Sequence, residues 1–175
     1  MLRLMLSAAA LAVAAGAACS PALDWREVRP DGAGGALALF PCKPQSLVRM
    51  ATLAGGRVQM SLHSCSAGGA TYALSFADLA EPSRVTPALA EMRAALAGNV
   101  SAAGVDSAAF QLNGMTPNPQ AVRLRLQGRL PDGSAAQEQA VLYAKGTRVY
   151  QAAVLGATLR GETADAFFDG LKLPP

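Results

Sequence analysis

The side chains able to do chemistry are few: three cysteines (Cys19, Cys42 and Cys65), one histidine (His63) and a run of alternating arginines. A thiol can serve as a nucleophile, a metal ligand or a disulfide partner, and its spacing and compartment decide which. No Cys-x-x-Cys pair is present, so a redox dithiol is not indicated. In an oxidising compartment Cys42 and Cys65 read as a structural disulfide, with two free buried thiols as the alternative. By loop entropy a bridge across that interval contributes roughly 3 kcal/mol. A single histidine with no Asp-x-His or His-x-x-x-His neighbour does not make a metal site. No Gly-x-Ser-x-Gly elbow presents a nucleophilic serine either. The glycine stretches Gly32 to Gly35, Gly55-Gly56 and Gly68-Gly69 lack the Lys-Ser/Thr ending of a phosphate loop and read as turns. The expectation is therefore no catalytic residue, no metal and no cofactor.

Two features could serve binding instead. Arg123, Arg125 and Arg129 share one strand face by parity, with Arg148 expected to join them across a meander. Guanidinium forks match carboxylate and phosphate, so these four are the candidate anion or partner surface. The competing reading is the solvated face of a sheet. Three like charges on one strand repel mildly, which keeps the binding reading in play. Trp25, the only tryptophan, sits in Asp24-Trp25-Arg26-Glu27. It either packs the start of the domain or docks a partner, tryptophan being favoured at interface hot spots.

The elements that must position these residues begin with an export signal. Residues 1–18 read MLRLMLSAAALAVAAGAA: Arg3 supplies a positive start, and Leu4 to Ala15 is an apolar run too short for a stable membrane span. An N-terminal core helix would have no polar face, which argues against that alternative. Two processing routes fit. Gly16-Ala17-Ala18-Cys19 resembles a lipobox, in which the cysteine receives a diacylglyceryl group, although Gly16 stands where leucine is usual. Cleavage after Ala17 would instead leave a soluble periplasmic protein. The lipoprotein is the preferred reading, and an N-terminal group with several acyl chains suffices for stable anchoring. The net charge of +3 falls to +2 without Arg3, too mild to imply nucleic acid or anionic lipid as a partner.

The expected organisation is a signal peptide over 1–18, a lipidated tether and lead-in over 19–30, and a single domain over 31–175. Leu23 to Arg29 reads as a first strand or ordered lead-in, and Ala36 to Phe40 as a strand ended by Pro41. Leu47 to Leu53, Arg57 to Cys65 and Thr71 to Ala77 form a meander, with turns at Gly55-Gly56 and Gly68-Gly69. In the second strand Val58, Met60 and Leu62 alternate with His63 and polar residues, which places His63 on the less buried face. Pro82 to Gly98 changes to helical spacing through Val85, Leu89, Met92 and Leu96, and Val100 to Asp106 reads as a loop. Ala109 to Leu112 reads as a strand, Asn113 to Pro119 as a loop of turn formers. Ala121 to Leu130, Gln137 to Ala144 and Arg148 to Leu155 form a second meander. Glu162 to Leu171 is a helix with Ala164, Phe167, Phe168 and Leu171 on one face. Strands grouped in hairpins with two helices predict an α+β fold with an antiparallel sheet backed by helices.

Two resemblances follow from these motifs. The segment C-S-P-x-x-D-W-R-E-V-R (Cys19 to Arg29), then F-P-x-K-P (Phe40 to Pro44), resembles small Gram-negative envelope lipoproteins of unknown function. The order meander, helix, meander and a terminal F-F-x-x-L-K-L (Phe167 to Leu173) is similar to the PsbP-like α/β/α sandwich. The second resemblance implies non-enzymatic work as a binding or accessory module, and neither brings a catalytic residue. The expected function is a non-catalytic envelope lipoprotein, held to a membrane by its lipid and partnered by an envelope protein or small ligand. The alternative is a soluble periplasmic small-ligand-binding protein. A binding module should expose an apolar or arginine-rich patch, and a ligand carrier should hold a sizeable pocket. An enzyme should bring His63 near an acid or nucleophile in a cleft.

Overall fold

Alternating apolar residues between tight turns commit most of the chain to one antiparallel sheet. The structure is a computed structural model and describes residues 23–175. In chain order it contains β1 (Arg26–Val28), β2 (Ala38–Phe40), β3 (Gln45–Leu53), β4 (Gly56–Ala67) and β5 (Ala70–Asp78). A 3-10 turn (Pro82–Arg84) leads into α1 (Val85–Asn99), followed by β6 (Gly104–Ala109), β7 (Val122–Arg129), β8 (Ala135–Lys145), β9 (Arg148–Gly156) and α2 (Gly161–Asp169). β1 and β2 form a ribbon of their own, and the other seven strands form one sheet in the order β3-β4-β5-β9-β8-β7-β6. Both expected meanders are present, joined edge to edge by β5 and β9. The fold is mixed α+β with two helices.

Residues opposite one another in the register share a face, so the sheet sorts its side chains into two cores. On one face α1 lays Val85, Leu89, Met92 and Leu96 over Leu124, Leu126, Leu142 and Val149. On the other, α2 and the β1–β2 ribbon lay Phe40, Phe167 and Phe168 over Tyr72, Leu74, Tyr143 and Tyr150. The aromatic contacts are specific: Tyr143 stacks on Tyr150 at 4.9 Å and Tyr72 meets Phe167 edge-on at 5.5 Å. The Tyr150 hydroxyl donates to the Ala33 carbonyl at 2.9 Å, which satisfies the buried group and pins the 31–36 loop. Residues expected as a lead-in therefore enter the domain itself as β1.

Two details differ from the sequence expectation, and a third was not legible in it. The strand expected over 109–112 lies earlier, at Gly104–Ala109, inside what reads as a loop. All six of its residues are exposed, so an edge strand with Val105 as its one large apolar side chain leaves no alternation to read. Next, the β3–β4 turn is Ala54-Gly55, not Gly55-Gly56, because Leu53 pairs with Gly56. This places Ala54 at φ +48°, a conformation that disfavours a Cβ. The turn is held from outside: Arg84 donates to the carbonyls of Leu53 (2.7 Å), Ala54 (3.2 Å) and Leu79 (3.2 Å). The Ala54 N–H donates to Glu91 Oε2 of α1 at 2.8 Å. Finally, α1 ends by crossing β7 so closely that a Cβ on Gly128 would lie 2.0 Å from the Val100 carbonyl oxygen.

Arg84 thus ties the first meander to the start of α1 through three charge-assisted bonds. Replacing it by methionine keeps the stem and removes the donors. Arg84→Met is expected to lower stability by about 2 kcal/mol in urea unfolding. An unchanged midpoint would show that the clamp is dispensable.

Candidate functional site

The four arginines do not converge. Arg123, Arg125 and Arg129 share the α2 face, opposite Val141, Gln139 and Ala135 respectively, but their surroundings separate them. Arg123 lies under α2, where it donates to Asp165 Oδ1 at 2.5 Å and Gln139 Oε1 at 2.9 Å and sits 5.0 Å over the Phe168 ring. It is a brace between β7, β8 and α2. Arg125 is exposed, 3.8 Å from Asp106 on β6. Arg129 donates to the Gly133 carbonyl of its own turn at 2.7 Å. Arg148 lies at the other end of the sheet, 3.0 Å from Asp78. Parity assigns a face, but not the position along it or what covers it.

His63 lies opposite Leu74 and stacks on Phe76, with centroids 5.8 Å apart and planes 8° from parallel. Burial lowers its pKa below the ordinary value, against an opposing pull from Asp31. Among the described residues no group of three or more His, Cys, Asp or Glu is arranged to hold a metal ion. Cys42 and Cys65 form a disulfide that ties the segment after β2 to β4. Trp25 packs edge-on against Tyr72 at 6.2 Å, so its indole is engaged within the chain. Cys19 and residues 1–18 lie outside the described residues. Among the described residues no helix is long and apolar enough to cross a membrane.

Three further features come from the structure. The loop between β6 and β7 leaves and returns at one point, because Ala109 pairs with Val122. It borders a half-open pocket of about 770 Å³, lined by Phe110, Leu112 and Met115 and by Gln111, Asn113 and Asn118, with no charged side chain. Next, Glu138 is 6% exposed on the α1 face between Leu126 and Leu155, and its Oε2 has no partner among the described residues. Loss of hydration pushes its pKa up to about 7. Its parity with Ala140 and Leu142 was the sequence signal that could have found it. Last, the exposed large apolar side chains among the described residues are Leu47, Val48 and Met50 on β3 and Val105 on β6, the two edge strands of the sheet.

A scan of protein-family models found no match to this chain, and searches of the curated proteins and the solved structures found none either.

Glu138 makes stability depend on pH with a definite sign. Its folded value of about 7 lies above the ordinary 4.5, so the folded chain keeps a proton that the unfolded chain has lost between them. Stability therefore falls as pH rises from about 4.5 to about 7, by about 3 kcal/mol from this group, and the full cost is present above that. Glu138→Gln is expected to be more stable than the wild type at pH 8 and close to it at pH 4. Comparing the two chains isolates Glu138 from His63, whose lowered pKa acts in the opposite sense. Urea unfolding across that range checks this, and a constant difference between the two chains refutes it.

Proposed function

We propose that this protein is a non-catalytic envelope lipoprotein, lipidated at Cys19 after removal of residues 1–18, whose domain works as a binding or accessory module. The observation that carries the reading is the open edge of β3. Leu47, Val48 and Met50 are 57%, 53% and 54% exposed, whereas the other long apolar side chains among the described residues are mostly buried. Large apolar side chains left exposed together on one sheet edge mark an interaction surface. The Cys42–Cys65 disulfide is the bond an oxidising compartment sustains and is compatible with export. Two meanders around a helix, with helices on both faces, also accord with a PsbP-like sandwich and its binding or accessory roles. That analogy adds weight to the fold and names no partner.

A second reading, a soluble periplasmic carrier of a small ligand, is favoured by the pocket under the 110–121 loop. Its neutral, half-apolar lining suits an uncharged molecule. Nile red would then bind saturably, and Met115→Trp, which fills the pocket, would abolish binding. Absence of saturable binding removes this reading.

The intact, non-reduced mass of the protein from the membrane fraction of its native cell tests the first reading. The expected mass begins at Cys19, carries a lipid adduct and is two hydrogens short of the reduced value. A chain beginning at Ala18 without lipid overturns the lipoprotein. Cys19→Ala is expected to move the protein from the membrane to the soluble fraction.

A further inference from the structure

The β3 edge has a backbone arrangement and a charge pattern that together specify what it takes. The two-residue turn Ala54-Gly55, with φ of +48° and +75°, closes Leu53 against Gly56 as a hydrogen-bonded pair. In an antiparallel ladder such pairs alternate, so Gln45, Leu47, Arg49, Ala51 and Leu53 bond to β4. Ser46, Val48, Met50 and Thr52 turn their N–H and C=O groups toward the open side. The α1 core reaches only the end of this strand, at Ala51 and Leu53; ahead of them Val48 and Met50 are exposed on the α2 face, Leu47 and Arg49 on the α1 face. Natural edges are blocked by proline, bulges or lysine, and within β3 Arg49 is the one charge.

The charge pattern disfavours the simplest occupant, a second copy of the strand itself. No Asp or Glu lies between Asp31 and Asp78, a stretch that holds β3, β4 and β5 together with Lys43, Arg49 and Arg57. None of these three cations takes part in an ion pair among the described residues. Pairing β3 with β3 of a second copy would set one strand bearing Arg49 and no acid against another. A strand bearing a carboxylate would meet Arg49 with a charge-assisted bond, and its apolar side chains would cover Leu47, Val48 and Met50.

We propose that β3 is a strand-addition site for an extended segment of another envelope protein, one with apolar side chains and at least one carboxylate. This rests on the reading of the domain as a binding module and names the surface and the partner's chemistry.

The test places the photo-cross-linker p-benzoylphenylalanine at Met50 of the full chain in its native envelope, with Arg125 and Val105 as comparison positions. The expected product is an adduct from Met50 with a different polypeptide, mapped by mass spectrometry to a segment containing Asp or Glu beside apolar residues. Two variants made in the Met50 probe chain bear on the mode of contact. Arg49→Glu reverses the charge, and Val48→Pro deletes an outward N–H that β4 does not use, so the sheet keeps its bonds. Each is expected to reduce the adduct about tenfold while leaving the melting temperature within a few degrees.

An adduct with a second copy of this chain, with phospholipid, or with a segment lacking acids overturns the proposal, as does an adduct that survives both variants. A polypeptide adduct from Arg125 or Val105 but not from Met50 overturns this site and leaves the module reading standing. No polypeptide adduct from any of the three positions overturns both.

Discussion

The pairing of β5 with β9 joins two meanders that would otherwise each present a bare edge to water. Its register runs from Ala70 opposite Gly156 to Asp78 opposite Arg148, so the partners lie 70 to 86 residues apart, from 148 − 78 and 156 − 70. Such closure costs more chain entropy than any local hairpin, and burial on both sides of the seam offsets it. The seam is sealed at one end by Asp78. Its carboxyl accepts from the Ala80 N–H, the Thr147 hydroxyl and Arg148, and these contacts hold its pKa below the ordinary value. On the faces of the seam lie Tyr72, Leu74 and Tyr150 under α2, and Ala77, Val149 and Ala153 under α1.

Putting β5, β9 and β8 at the centre forces β3 and β6 to the margins, and this sets where contact with other molecules can occur. Two helices and a short ribbon cover the middle of seven strands and leave the outermost open. The exposed apolar residues on the edges are thus a consequence of strand order, not of a local peculiarity in β3. The same geometry explains Glu138. A carboxylate on a central strand has its face chosen by parity, and here parity points it at the α1 core between two leucines. Below about pH 7 the group holds its proton there, because charging it would require hydration that the site excludes.

The arginines show how register and cover act in succession. Parity places Arg123, Arg125 and Arg129 on one face, and α2 then covers the first, leaves the second to solvent and does not reach the third. Arg123 becomes an internal brace to Asp165, Gln139 and Phe168, while Arg125 remains a surface charge. Residues of one type at regular spacing therefore came to hold different roles, because a helix late in the chain packs across only part of the strand.

Most of the local structure follows from residue patterning. Period-two alternation through Val122, Leu124 and Leu126 and helical spacing through Val85, Leu89, Met92 and Leu96 each reflect which face of an element must leave water. Positive-φ glycines such as Gly68 and Gly69 mark a tight turn for steric reasons. β6 is not legible in the sequence because an exposed edge strand has no buried face to impose a pattern, and the β3–β4 turn lies one residue before the Gly-Gly pair because Ala54 accepts a conformation that glycine usually fills. Long-range packing settles which meander edges meet, which arginine α2 covers, that Glu138 is enclosed, and that Leu47, Val48 and Met50 remain outside. Those outcomes depend on pairing and packing between segments far apart in the chain, and the energy of a distant contact leaves no periodic trace in the residues that make it.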